Sequence, residues 1–266
     1  MIKLIDDPKL IEKLVLHSPY LGGNVLREAL TFENDYDLMD VWAETDNTGK
    51  AFSAAIIDQK EITVISEKQG PGNEMLLFLG KVVESGNHEK IICDEQSLKN
   101  LKMIFNHKVS SKDVMKCSRH TKAQTTDYEI KINSEPKDLL LLRNEKNKNH
   151  TSSENEMFLL KNIRGRKSEQ IKTFIAYDGS LPISTASISG ITAAGGNIAN
   201  VLTIPSYRNR GLATILTKRC CEFLKENRKD AYLVPASNSL TGFYEKIGFK
   251  KMCKIYDISL KDQNNE

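Results

Sequence analysis

The chain has 266 residues and a mass of 30.0 kDa, which bounds it to one large domain or two of roughly 130 residues. Hydrophobic residues at 39% and charged residues at 27% describe a globular protein and exclude a disordered one, and a net charge of +3 is too small to point to nucleic acid. The longest apolar runs fall short of the roughly 18 residues of a membrane span, and the opening MIKLIDDPKLIEKL is charged where a signal peptide would be apolar.

Five cysteines (Cys93, Cys117, Cys220, Cys221, Cys253) form no CxxC pair, and His17, His88, His107, His120 and His150 show no HxxH or HExxH spacing. A cytoplasmic protein with no metal, membrane or nucleic-acid partner is therefore expected.

The hydrophobic pattern predicts helices over 8–17 and 23–32 and strands at 36–43, 51–58 and 61–66. A helix over 73–85, a strand at 90–93 and a helix over 95–105 follow. The polar stretch 106–127 has little apolar periodicity and reads as a linker or a long crossing strand. Beyond it, Pro136 opens a helix, and a second helix covers about 154–164. The run 143–156 between them reads as a mobile loop. Strands come next at 171–178, 182–190 and 197–204. A helix over 210–226, a strand at 231–235, a helix over 238–247 and a strand at 249–259 complete the pattern.

The same order of two helices, three strands, helix, strand and helix thus occurs twice. It predicts a first domain over 1–110, a link over 111–127 and a second domain over 128–266. The two halves differ in charge: residues 1–125 hold 16 Lys and Arg against 19 Asp and Glu, and residues 126–266 hold 22 against 16. A basic second half suits an anionic small ligand, and a solvated surface accounts for it equally well.

The most informative segment is NVLTIPSYRNRGLATILTKRCCEF, residues 200–223. A strand leads through Pro205 into a turn and then an amphipathic helix, with Leu212, Ile215, Leu216, Cys220, Phe223 and Leu224 on one face. Cys220 is expected in the core and Cys221 at its periphery. In the turn RNRGLA (208–213), Gly211 permits tight curvature and Ala213 leaves space at the first helical turn. The free N–H groups and positive helix end there can hold a phosphate, with Arg208 and Arg210 adding charge. An ordinary strand-to-helix turn is the alternative. Neither GxxxxGK[ST] nor GxGxxG is present. A second signal is ASNSLTGFYEKIGF, residues 236–249, where Ser237 or Asn238 caps a helix that Gly248 stops.

Together these segments resemble the GNAT superfamily of acetyl-CoA-dependent N-acetyltransferases. RNRGLA matches the family's Arg/Gln-x-x-Gly-x-Gly/Ala loop in all its fixed positions, and FYEKIGF (243–249) resembles its late Tyr…Gly-Phe signature about 30 residues further on. The resemblance covers 170–260 clearly and implies an α/β fold of two GNAT-like domains in tandem, the second intact. It implies transfer of an acetyl group from acetyl-CoA to a small-molecule or peptide amine by direct attack. Backbone groups of Val201, Leu202 and Thr203 would pair with the pantetheine amides. The turn Arg208, Asn209, Arg210, Gly211, Leu212, Ala213 and Thr214 would hold the pyrophosphate. Tyr244 would protonate the departing thiolate.

Two positions depart from the pattern. Ser237 stands where many members have a CoA-binding asparagine, with Asn238 one residue late, and the strand offers Asn197 and Asn200 where many have a glutamate base. A CoA-binding sensor or interaction module without turnover is the alternative from another class. In the first half, QGPGNE (69–74) occupies the phosphate-loop position, but Glu74 stands where Gly or Ala belongs and SLKNLKMIF lacks the tyrosine. That half is therefore expected to be a degenerate domain without cofactor, with Trp42 as packing.

Overall fold

The computed structural model describes residues 1–31, 39–58, 60–86, 88–119, 122–146 and 149–260. Two units emerge, one of Met1–Val114 with Met252–Glu266 and one of Met115–Lys251.

Unit 1 begins with β1 (Ile2–Leu4), two 3-10 turns (Pro8–Ile11 and Leu14–Leu16) and α1 (Pro19–Thr31). The helix expected over 8–17 is thus absent: the two short turns already bury Ile11, Leu14 and Val15, and the residue before Pro19 is disfavoured in a helix. Pro19 instead opens α1, earlier than expected, because Gly22 lets the helix lie against the Val15 backbone, where a Cβ would come within 2.5 Å of the Val15 carbonyl. Then come β2 (Met39–Thr45), β3 (Ala51–Asp58), β4 (Glu61–Ser66), α2 (Asn73–Ser85), β5 (Lys90–Asp94) and α3 (Glu95–Leu101). Residues 36–38 of the expected strand 36–43 lie outside the described residues. Trp42 packs on Phe78 of α2, ring centroids 4.9 Å apart.

In the polar stretch 106–127, residues Val109–Cys117 form β6; His120 lies outside the described residues. Unit 2 continues with β7 (Glu129–Ile132), α4 (Pro136–Lys146), α5 (Ser152–Lys167), β8 (Ile171–Asp178), β9 (Leu181–Ser189) and β10 (Gly195–Thr203). Next are α6 (Leu212–Glu226), β11 (Asp230–Leu233), α7 (Thr241–Ile247) and β12 (Phe249–Ser259). The run 143–156 is largely helical rather than a loop. Thr151 and Glu154 form a reciprocal capping box that starts α5 early, and residues 147–148 lie outside the described residues.

Each unit has a mixed six-stranded sheet. The orders are β1-β2-β3-β4-β5-β12 in unit 1 and β7-β8-β9-β10-β11-β6 in unit 2. One pair is parallel in each, β4 with β5 and β10 with β11. The sixth strand of each sheet is supplied from the far half of the sequence. Ile255–Ser259 of β12 pair with β5, whereas Met115 and Lys116 of β6 pair with Leu233 and Tyr232 of β11. β12 lies within the span expected for the second domain, yet this part of it completes the sheet of unit 1.

The unit 1 core gathers Ile62, Val64, Met75, Leu79, Ile91 and Leu101. In unit 2, Leu212, Leu216, Cys220 and Leu224 of α6 pack on Ile183, Ile188, Leu233 and Phe249. Cys221, expected at the periphery, is buried in this same core. Its thiol is hydrogen-bonded to that of Cys117 of β6, both being free cysteines, and that neighbour and burial push its pKa well up, so β6 covers a helix flank that helical periodicity alone leaves outside.

Candidate active site

β10 and β11 pair only over Gly195–Asn197 and Asp230–Tyr232, and beyond these residues the strands separate. A backbone edge that loses its strand partner keeps unsatisfied N–H and C=O groups, which must find water or a ligand. A bulge lies at the same place. The register of β10 against β9 shifts between Ala199 and Leu202, and Asn200 adopts φ +51°, a left-handed conformation that asparagine tolerates better than most residues.

The fork opens into a cleft of about 900 Å³. One wall is β10, from Ile198 through Asn200, Val201, Leu202 and Thr203 to Ile204; Val234 and Ala236, following β11, face the same space. Arg208, Asn209, Gly211, Leu212, Ala213 and Thr214 line the end where α6 begins. Gly211, the N-cap of α6, has φ +78° and ψ 0°, and no side chain caps the helix. The first-turn N–H groups have no intrahelical acceptor and carry the positive end of the helix dipole, so this turn can receive an anion. A Cβ on Gly211 would meet nothing within 4 Å; glycine is needed there for its backbone angle rather than for space.

The two arginines of the turn are held differently. Arg208 lines the cleft and donates from Nε to the Thr203 carbonyl at 3.2 Å. Arg210 is not among the lining residues. It donates to the Tyr128 hydroxyl at 2.8 Å and the Ser206 carbonyl at 3.2 Å, with its guanidinium 4.7 Å from the centre of the Tyr207 ring. Tyr207 in turn donates to Asp178 at 2.6 Å. Arg210 thus braces the turn. Asn238 is exposed in a 3-10 turn (Asn238–Leu240) and is also outside the lining.

Tyr244 on α7 reaches the cleft together with Leu240 and Phe243. It is 7% exposed and fixed edge-on between Phe243 and Phe249, with centroids at 5.0 and 6.0 Å. Burial raises its pKa, because a phenolate would lose its hydration there.

A further wall comes from the polar run 143–156, whose Arg143, Glu145 and His150 line the cleft together with Leu142. Arg143 donates to the Glu154 carbonyl at 3.2 Å and Asn155 Oδ1 at 3.0 Å, and its other terminal nitrogen lies 3.3 Å from His150 Nδ1. Its guanidinium also sits 4.5 Å over the Phe158 ring. This arginine ties the end of α4 to the start of α5 and carries His150 into the cleft wall.

Among the described residues no three His, Cys, Asp or Glu side chains gather as metal ligands. No helix there is long and apolar enough to cross a membrane.

The family model described as Acetyltransferase (GNAT) domain matches residues 169–251, which include the forked strands, the turn and Tyr244. This segment is a GNAT acetyltransferase domain. Among solved structures, the chain is similar to a tandem GNAT protein from the clavulanic acid biosynthesis pathway, solved without AcCoA. The identity is 9%, with 99% of each chain covered and a TM-score of 0.59. A GCN5-related N-acetyltransferase from Sphaerobacter thermophilus matches at 13% identity over 98% of this chain and 96% of its own, with a TM-score of 0.59. A GNAT-family acetyltransferase from Colwellia psychrerythraea matches at 11% over 98% and 100%, with a TM-score of 0.57. At such identities the likeness is one of fold, and that fold is two GNAT-like domains in tandem. No curated protein matches the sequence.

Proposed function

We propose that unit 2 binds acetyl-CoA and transfers its acetyl group to a primary amine, while unit 1 holds no cofactor. The observation that carries this reading is the conjunction of a strand fork with an uncapped helix N-terminus on one cleft. A fork offers amides to a pantetheine arm; an uncapped helix offers N–H groups to a pyrophosphate.

In this reading Val201, Leu202 and Thr203 pair through their backbones with the pantetheine amides. Backbone N–H groups from Asn209 to Thr214 hold the pyrophosphate, Arg208 adds charge, and Arg210 acts by bracing the turn. Asn238 would reach the cofactor only if its turn shifted. The neutral amine attacks the thioester carbonyl, forming C–N as the tetrahedral oxyanion develops and is stabilised by a β10 backbone N–H. Holding both reactants in one cleft removes much of the entropic cost of encounter. The C–S bond then breaks, and Tyr244 gives its proton to the thiolate sulfur. The proton lost by the amine goes to water, or to Glu145 or His150 on the cleft wall. A cytoplasmic setting fits the free thiols of all five cysteines.

Calorimetric titration of acetyl-CoA into the full chain tests the reading, with Gly211→Glu as control. Micromolar binding that disappears in the control is expected, since the substitution puts a carboxylate and an unfavourable φ at the phosphate turn. Absence of binding to the unaltered chain overturns it.

A further inference from the structure

The strand orders of the two units match position by position, so β4, α2, β5 and α3 correspond to β10, α6, β11 and α7. Glu44, Ser53 and Ser66 form one row across β2, β3 and β4. The row that likewise runs through the last residue of β10 is Ala176, Ser184 and Thr203 across β8, β9 and β10. Unit 1 therefore has a carboxylate where unit 2 has a methyl group.

That carboxylate is 3% exposed and sits on the N-terminus of α2. Glu44 Oε2 accepts the Gly72 N–H at 2.7 Å and the Ser53 hydroxyl at 3.1 Å, and Oε1 accepts the Met75 N–H at 3.4 Å. Gly72 is the N-cap of α2 and Met75 its third residue, so one side chain spans the helix end. It satisfies the groups that a bound phosphate would otherwise satisfy. A Cβ on Gly72 would fall 2.5 Å from Glu44 Oε1, which leaves no room beside it. Glu74, the residue expected to spoil this loop, is not the one that fills it. Its carboxylate pairs with the Met1 ammonium at 2.6 Å on the surface.

The fork is closed too. β4 and β5 pair through Val64 and Cys93, after which Asp94 Oδ2 accepts the Ser66 N–H at 3.3 Å and Oδ1 the Ser97 N–H at 2.9 Å. The Ser66 and Ser97 hydroxyls bond at 2.8 Å. On α3, Asn100 donates to the Gln69 and Pro71 carbonyls at 3.1 and 2.8 Å. It ties together a helix and a turn whose counterparts in unit 2 both border the cleft.

We propose that Glu44 is a built-in anion occupying the phosphate position of unit 1, and that Glu44, Asp94 and Asn100 hold this cradle shut, so that the chain takes up CoA once. The stoichiometry rests on the cofactor reading of unit 2; the assignment of Glu44 does not.

Thermal melts of the full chain in inorganic phosphate and in chloride, at equal ionic strength, test Glu44. Phosphate is expected to raise the midpoint of Glu44→Ala by several degrees more than that of the unaltered chain, in which only the turn of unit 2 is open to it; an equal response in both overturns the proposal. If Glu44→Ala does not fold, NMR of the unaltered chain and Glu44→Gln decides. The Gly72 and Met75 amide protons, deshielded by the carboxylate they donate to, should move upfield in the variant, and resonances left in place overturn the assignment. Calorimetry with CoA should give one site per chain. Two sites overturn the closed cradle, whereas no binding at all overturns the reading of unit 2 and leaves the phosphate comparison to decide Glu44.

Discussion

In the proposed reaction Tyr244 would serve packing and chemistry together. Its ring is part of the unit 2 core and it also lines the cleft, where we propose that it is the proton donor. A phenol of pKa about 10 gives its proton to a thiolate whose acid lies near 8.5 only against the gradient, so a short, water-poor contact is required. Tyr244→Phe should lower kcat by roughly 10²–10⁴-fold, with little change in acetyl-CoA affinity; steady-state kinetics beside calorimetry checks this, and undiminished turnover contradicts it. Burial raises the phenol's pKa, so the acid form persists above the ordinary value of about 10, and no loss of activity from its ionisation should occur at pH 8–9. The sign for stability follows. The unfolded phenol ionises first, so the stabilisation is complete below pH of about 10 and is lost as pH rises through the folded value.

Among the elements, α7 and its cap position this tyrosine. Gly248 stops the helix at φ +118°, and a Cβ there would lie 2.3 Å from the Arg119 carbonyl. The Gly248 carbonyl also accepts the Ser118 and Arg119 N–H groups at 2.9 and 3.2 Å. Gly248→Ala should therefore destabilise by about 1–3 kcal/mol or more. Gly242→Ala, in the same helix with nothing within 4 Å of its Cβ, should be neutral or stabilising by up to about 1 kcal/mol. Urea unfolding of the two variants checks the contrast, and equal midpoints would refute it. The same level explains which elements were legible. The bounds of β3, β4, α2, β8 and β12 agree with those read from alternation, short apolar runs and helical period, because charged or glycine-containing turns end these segments locally. The 3-10 turns near the N-terminus were not legible: three buried side chains can be placed by a turn as well as by a helix.

For the whole molecule, the exchange of sixth strands has the widest consequence. Residues 1–127 expressed alone would lack β12 and leave β5 with an open edge. Residues 128–266 alone would lack β6 and expose the edge of β11 together with Cys221. Unpaired edges beside apolar cores favour aggregation, so each fragment is expected to be insoluble or molten when expressed singly, and soluble when the two are produced together. Solubility, near-UV circular dichroism and gel filtration decide; two well-folded separate fragments would contradict the exchange.

The sequence by itself determined the turn with Gly211 at the start of α6, the Gly248 stop of the helix bearing Tyr244 and the doubled run of three strands, helix, strand and helix, although neither Ser237 nor Asn238 caps that helix. These depend on residues close in the chain, and backbone angles, caps and periodicity act over a few positions. Tertiary structure alone decided which residues of the run 143–156 reach the cleft, that β6 buries Cys221, that the last strand completes the first sheet and that Glu44 reaches the end of α2. Each of those joins residues far apart in the chain, and long-range packing leaves no mark on local pattern until the sheets have formed.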